Sequence, residues 1–168
     1  CLSQVLSYYG DQRPIAELSS RVGHTPDGGT LAVHLGRLAI ELGYRARLHP
    51  FGVRVFDPTW WDLEDPQIID KLAARAEGLP ASAERSAVEA WRDFMRDGGH
   101  VAFHEPSAAL LVRILARGRP VICGLNLTWL YRQAREDPAS NVSDDVLGQA
   151  VGHFVTVVGY TGRGLHFH

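Results

Sequence analysis

Gly152-His-Phe-Val-Thr-Val-Val-Gly-Tyr160 is the most informative segment of this chain. Residues 153 to 159 are rich in β-branched side chains and close on Gly-Tyr, a composition that suits a buried strand better than a helix. His153 opens that strand. Alternate residues of a strand share a face, so His153 is expected to point the same way as Val155 and Val157, at the end of a sheet. An imidazole at the mouth of a rigid strand is suited to general-base chemistry, because packing fixes the ring and desolvation moves its pKa toward neutrality. A structural strand-end histidine is the plainer alternative.

Towards the N-terminus, residues 120 to 125 are apolar and β-branched enough for a central strand, and residues 163 to 168 read as a further one. The first half of the chain has helical periodicity. Leu2, Val5, Leu6 and Tyr9 share a helical face before Gly10, and Ile15, Leu18 and Val22 do so after Pro14. Thr30 is the expected N-cap of a third helix, with Leu31, Leu35, Leu38 and Leu42 at three- and four-residue steps before Gly43. Further helices are expected over 66 to 76 and 83 to 96, the second carrying Val88, Trp91 and Met95, and between Pro106 and Gly118, where Leu111, Ile114 and Leu115 face inward. One or two strands are expected in residues 44 to 56, and a short one from His100 to His104. The aromatic run from Phe56 to Trp61 covers the core or lines a groove. Residues 131 to 148 form a polar surface loop, either a gate or a solvated excursion.

The 168 residues, 45% of them hydrophobic, suffice for one domain with a core. A net charge of −2 and a pI near 6.5, with the basic residues scattered, leave no electrostatic footprint for nucleic acid. No apolar run approaches the roughly 20 residues that span a bilayer. Two cysteines, Cys1 and Cys123, with no CxxC pair, suit a reducing cytoplasm. Cys123, in an apolar strand, reads as a small buried hydrophobe. His34 and His49 read as half-buried or solvated rings. His166 and His168 would share a strand face, but no third ligand accompanies them, so no metal or other cofactor is expected. Walker, GxGxxG, HExxH and GxSxG patterns are absent. Both ends read as trimmed, since the chain opens at Cys1 without an initiator Met and stops at His168 inside a strand.

Cys1-Leu-Ser-Gln-Val-Leu-Ser-Tyr-Tyr-Gly10, Asp27-Gly-Gly-Thr-Leu31, Leu42-Gly-Tyr-Arg-Ala46 and the segment from Gly152 to Tyr160 resemble, in order, the blocks of the C39 and C39-like cysteine peptidases. The stretch Phe56-Asp57-Pro58-Thr59-Trp60 is most similar to that of the stand-alone C39-like proteins. The resemblance implies an α+β, papain-like fold over residues 1 to 168, with a helical first half packed on an antiparallel sheet in the second. It implies that His153 is the catalytic histidine, set in a cleft between the first helix and the sheet. The family's nucleophilic cysteine falls one helical turn before Cys1, with its oxyanion-hole glutamine further upstream, and the orienting Asp or Asn falls beyond His168. Cys1 is then expected to pack, shielded, beneath the site. A processed N-terminal nucleophile is the rival role for Cys1. The activity implied is hydrolysis of a peptide bond in a peptide or protein substrate, leader-peptide processing among the options. A catalytically degenerate peptide-binding domain is the alternative.

Overall fold

The computed structural model describes every residue except Pro26, Asp27, Gly28, Pro138, Ala139, Asn141, Arg163 and His168, and only the backbone of Phe167. Among the described residues the fold is mixed α+β, with seven α-helices and five strands in two small sheets. In chain order these are α1 (Leu2–Tyr8), α2 (Ile15–Arg21), α3 (Ala32–Glu41), β1 (Arg47–Leu48), a 3₁₀ turn (Pro58–Trp60), α4 (Asp65–Gly78), α5 (Ala83–Arg96), β2 (His100–Val101), α6 (Ala108–Leu115), β3 (Val121–Asn126), α7 (Leu127–Tyr131), β4 (Gly152–Thr161) and β5 (Gly164–Phe167). They divide into two compact units, one of Cys1–Ser20 with Ser107–His168 and one of Arg21–Pro106.

The Arg21–Pro106 unit is helical. Apolar spacing along α3, α4 and α5 brings Val33, Ile68, Leu72, Val88 and Phe94 into one buried cluster with Phe56, Met95 and Val101. Phe94 is completely buried, and two glycines make room for it: a Cβ at Gly36 would lie 2.7 Å from the Phe94 ring, and one at Gly99 closer still. Phe56 meets Trp91 edge to face at 4.9 Å, so the start of the aromatic run covers the core, while Trp61 at its end is exposed. Ser82 caps α5 by accepting the Arg85 N–H at 3.2 Å. These helices share a core within their own unit.

Two expectations fail here. Thr30 is not the N-cap of α3; Leu31 holds that position, and the Thr30 hydroxyl donates to the Gly23 carbonyl at 2.7 Å, which removes it from the helix end. The strands expected over 44 to 56 reduce to Arg47–Leu48, paired in parallel with His100–Val101. Pro50 offers no N–H for a ladder and Gly52 adopts φ 124°, so pairing stops there.

The other unit carries the antiparallel sheet β3-β4-β5 over the three segments where strands were expected. Val121 faces Val157 and Asn126 faces Gly152, and a bulge falls between Val157 and Gly159 before β5 pairs back. Val157 is fully buried, as are Leu2 and Leu6 of α1, Leu18 of α2 and Leu110 of α6 to within a few per cent. In α6 the buried residue is Leu110, while Leu111, Ile114 and Leu115 are half-buried. Ser107 caps that helix by accepting the Leu110 N–H at 3.1 Å. α7 was not anticipated: the Asn126 side chain accepts the Trp129 N–H at 3.0 Å and starts a turn of helix directly after β3. The described part of the loop after it is partly ordered by its own bonds, Glu136 bridging Ser143 and Gln149. The Asp144 carboxylate accepts the N–H groups of Val146 and Leu147, and these bonds hold it below the usual carboxylate range. Among the described residues, no helix is long and apolar enough to cross a membrane.

Candidate active site

Helix α1 buries Leu2 and Leu6 and ends where Gly10 takes φ 84°. Cys1 is its N-cap, and the Cys1 carbonyl accepts the first helical bond from the Val5 N–H at 3.1 Å. Two side-chain bonds tie this first turn to β4. The Cys1 thiol donates to the Phe154 carbonyl at 3.1 Å, and the buried Thr156 hydroxyl donates to Gln4 Oε1 at 2.7 Å while lying 3.5 Å from the Cys1 carbonyl. A hydroxyl has one proton, so the shorter contact holds it and the longer is a weak approach.

The far end of α1 fixes its direction. The Tyr8 hydroxyl donates to the carbonyl of Gly118 at 3.2 Å. Gly118 lies three positions before Val121, which pairs with Val157, so it belongs to the Tyr160 end of β4. Helix α1 therefore runs alongside β4 with its N-terminus toward Gly152 and His153.

His153 itself is exposed. Thr156 turns its side chain toward α1, and Phe154, two residues before it, covers Gly124 on that same face. Alternation then sends His153, Val155 and Val157 to the opposite face, together with their cross-strand partners Leu125, Cys123 and Val121. Strand parity sets His153 out of step with Thr156, and the residue is exposed at the open end of the sheet. Among the described residues, none hydrogen-bonds to the ring.

Cys123 shares that face and is a free thiol whose pKa is pushed up by burial, so it is a neutral group at pH 7; it is half-buried rather than fully buried as expected. Cys1, expected to be shielded, is exposed. Its side chain is engaged through the sulfur, which donates to the Phe154 carbonyl, and its backbone carbonyl accepts the Val5 N–H.

The remaining candidates are dispersed. His34 and His49 are half-buried, and burial pushes both imidazoles down, helped in His34 by the charge of Arg37 and in His49 by His104 and Arg47. His166 is exposed on β5, while His168 and most of the Asp27-Gly-Gly motif lie outside the described residues. Among the described residues no group of three His, Cys, Asp or Glu side chains is placed to hold a metal ion. The pairing of Gln4 with Thr156 escaped the sequence reading. Its one signal was a polar residue at each site in an otherwise apolar pattern. The chain matches no protein-family model, no curated protein and no solved structure.

Proposed function

We propose that this chain is the body of a C39-like cysteine peptidase in which His153 is the acid–base residue. The observation that supports this reading is that the first turn of α1 is tied to β4 at Phe154 and Thr156, next to His153 in the strand. In this reading the upstream thiolate attacks the scissile carbonyl. The His153 imidazolium then gives its proton to the leaving amine as the C–N bond breaks, and water, losing a proton to the same ring, hydrolyses the thioester. An Asp or Asn after His168 orients the ring, and a backbone N–H with the family's glutamine receives the oxyanion. A reducing, cytoplasmic setting suits two free thiols.

The test uses the protein with its residues before Cys1 and after His168, assayed for cleavage of a peptide mixture by mass spectrometry. His153→Ala is expected to lower cleavage by about 10²–10⁴-fold. Alanine at the upstream cysteine abolishes it, and Cys1→Ala leaves most of it. Loss with Cys1→Ala alone overturns the assignment. The parity of β4, which turns His153 from α1, favours a second reading as a domain that binds peptides without cutting them. Retained peptide binding with no cleavage, unchanged by His153→Ala, selects that reading.

A further inference from the structure

Two adjoining concavities open on the Arg21–Pro106 unit, and the peptidase reading uses neither. One, of about 290 Å³, is lined by Glu64, Asp65, His100 and His104; the other, of about 200 Å³, is apolar and lined by Phe51, Val53 and Phe56 with Pro50 and Pro58. Trp61 and Phe103 belong to both and form the wall between them, their rings stacked 5.8 Å apart and 6° from parallel. Phe51 is 83% exposed, Val53 72% and Trp61 50%, an apolar strip left open beside two carboxylates.

The charge in the first concavity is one-sided. Its lining contains no Lys or Arg among the described residues. Glu64 is the exposed N-cap of α4, with its backbone N–H donated to Gln67 Oε1 at 3.0 Å. Asp65 Oδ2 lies 3.0 Å from His100 Nδ1. His49, whose ring lies tilted against that of His104 at 5.1 Å, is kept toward its neutral form by burial and adds no opposing charge at neutral pH. The start of α4 would by itself attract an anion, but two carboxylates already stand there and repel one.

We propose that this strip binds an extended peptide segment carrying an apolar side chain and, two residues on, a Lys or Arg. Alternate side chains of an extended peptide lie about 7 Å apart on one face, which suits two cavities that share a wall. A cavity of about 150 Å³ accepts a benzene ring, so the apolar one has room for a leucine or phenylalanine side chain. The cation then meets Glu64 and Asp65 in charge-assisted hydrogen bonds, with its stem across the half-exposed face of Trp61. The site stands whether or not the chain is a peptidase.

Calorimetric titration of the whole chain with acetyl-Gly-Leu-Gly-Arg-Gly-amide tests the proposal. Binding is expected to weaken about tenfold when the peptide's Arg becomes Glu, and similarly when its Leu becomes Ser, as the loss of one charged hydrogen bond or one buried side chain implies. In the protein, Glu64→Gln should weaken the Arg peptide and not its Glu counterpart, and Phe51→Ser should weaken both. Both side chains are exposed, and circular dichroism checks that each variant is folded. Equal binding of the Arg and Glu peptides, or no heat at millimolar peptide, overturns it. So does adsorption to phosphatidylcholine vesicles that Phe51→Ser removes while the peptide stays unbound, since the strip would then be a lipid contact.

Discussion

Phe94 and Thr156 stand for two ways of building. In the Arg21–Pro106 unit, α3, α4 and α5 follow one another along the chain and converge on Phe94, with Gly36 and Gly99 cleared away around its ring. In the other unit the decisive contacts join the two ends of the chain, Cys1 to Phe154 across 153 positions and Gln4 to Thr156 across 152. Local contacts close small loops and form readily, whereas the α1–β4 contact repays a large loop entropy with two hydrogen bonds and the apolar face of one short helix. The candidate histidine therefore lies in the unit that is closed by the longest-range hydrogen bonds. Sites that must adjust to a substrate are commonly drawn from such regions.

Phe94→Ala is the strongest way to break this contrast. Removing a fully buried phenylalanine costs about 3–5 kcal/mol, and the loss should appear in hydrogen exchange as lost protection in α3, α4 and α5 ahead of β3 and β4. Equal loss in both units would mean that they unfold as one and that the distinction has no energetic content.

Thr156→Val sharpens the contrast from the other side. It removes the donor to Gln4 Oε1 and, since Gln4 is exposed, should cost about 0.5–1.5 kcal/mol, with early exchange confined to α1. Thr156→Ser, which keeps the hydroxyl, should recover most of that loss. If the Val and Ser variants melt together, the hydroxyl does not hold the helix.

The smallest effects are in pH. In the helical unit, burial first and then His104 and Arg47 depress the His49 imidazole, so the folded chain takes up that proton at lower pH than the unfolded chain. The associated stability is present above about pH 6.5 and is lost as pH falls toward the folded value, and His49→Gln should flatten the acid limb of a stability profile. In the sheet unit the sign reverses. Burial raises the Cys123 thiol, so its contribution is present below about pH 8.5 and is lost as pH rises toward the folded value. Cys123→Ala should flatten the alkaline limb alone. An alkaline limb unchanged by that variant would mean that the thiol titrates as it does in the unfolded chain.

Most elements were legible from periodicity. The spacing of Leu35, Leu38 and Leu42, the Val88 face of α5 and the β-branched run after His153 each carry a local signal stronger than their surroundings, and helices and strands formed there. The failures have local rivals. Thr30 found a carbonyl in Gly23 and so did not cap its helix, Pro50 and Gly52 cut short a β-rich stretch, and Asn126 began a helix that its apolar neighbours did not announce. Of the site, His153 was visible as a residue but not as a direction, because the face on which a strand side chain falls depends on what packs against each side.

From the sequence alone follow most of the helices, the three strand segments of the second half and the position of His153 at a strand mouth, since each depends on side chains within a few residues of one another. Only tertiary structure decided that α1 runs alongside β4 toward that histidine, that Thr156 rather than His153 faces α1, and that Glu64, Asp65 and Trp61 meet His100 and Phe103. Those are pairings between segments tens of residues apart or more, chosen by register and by competition for buried surface, and neither leaves a periodicity in the chain.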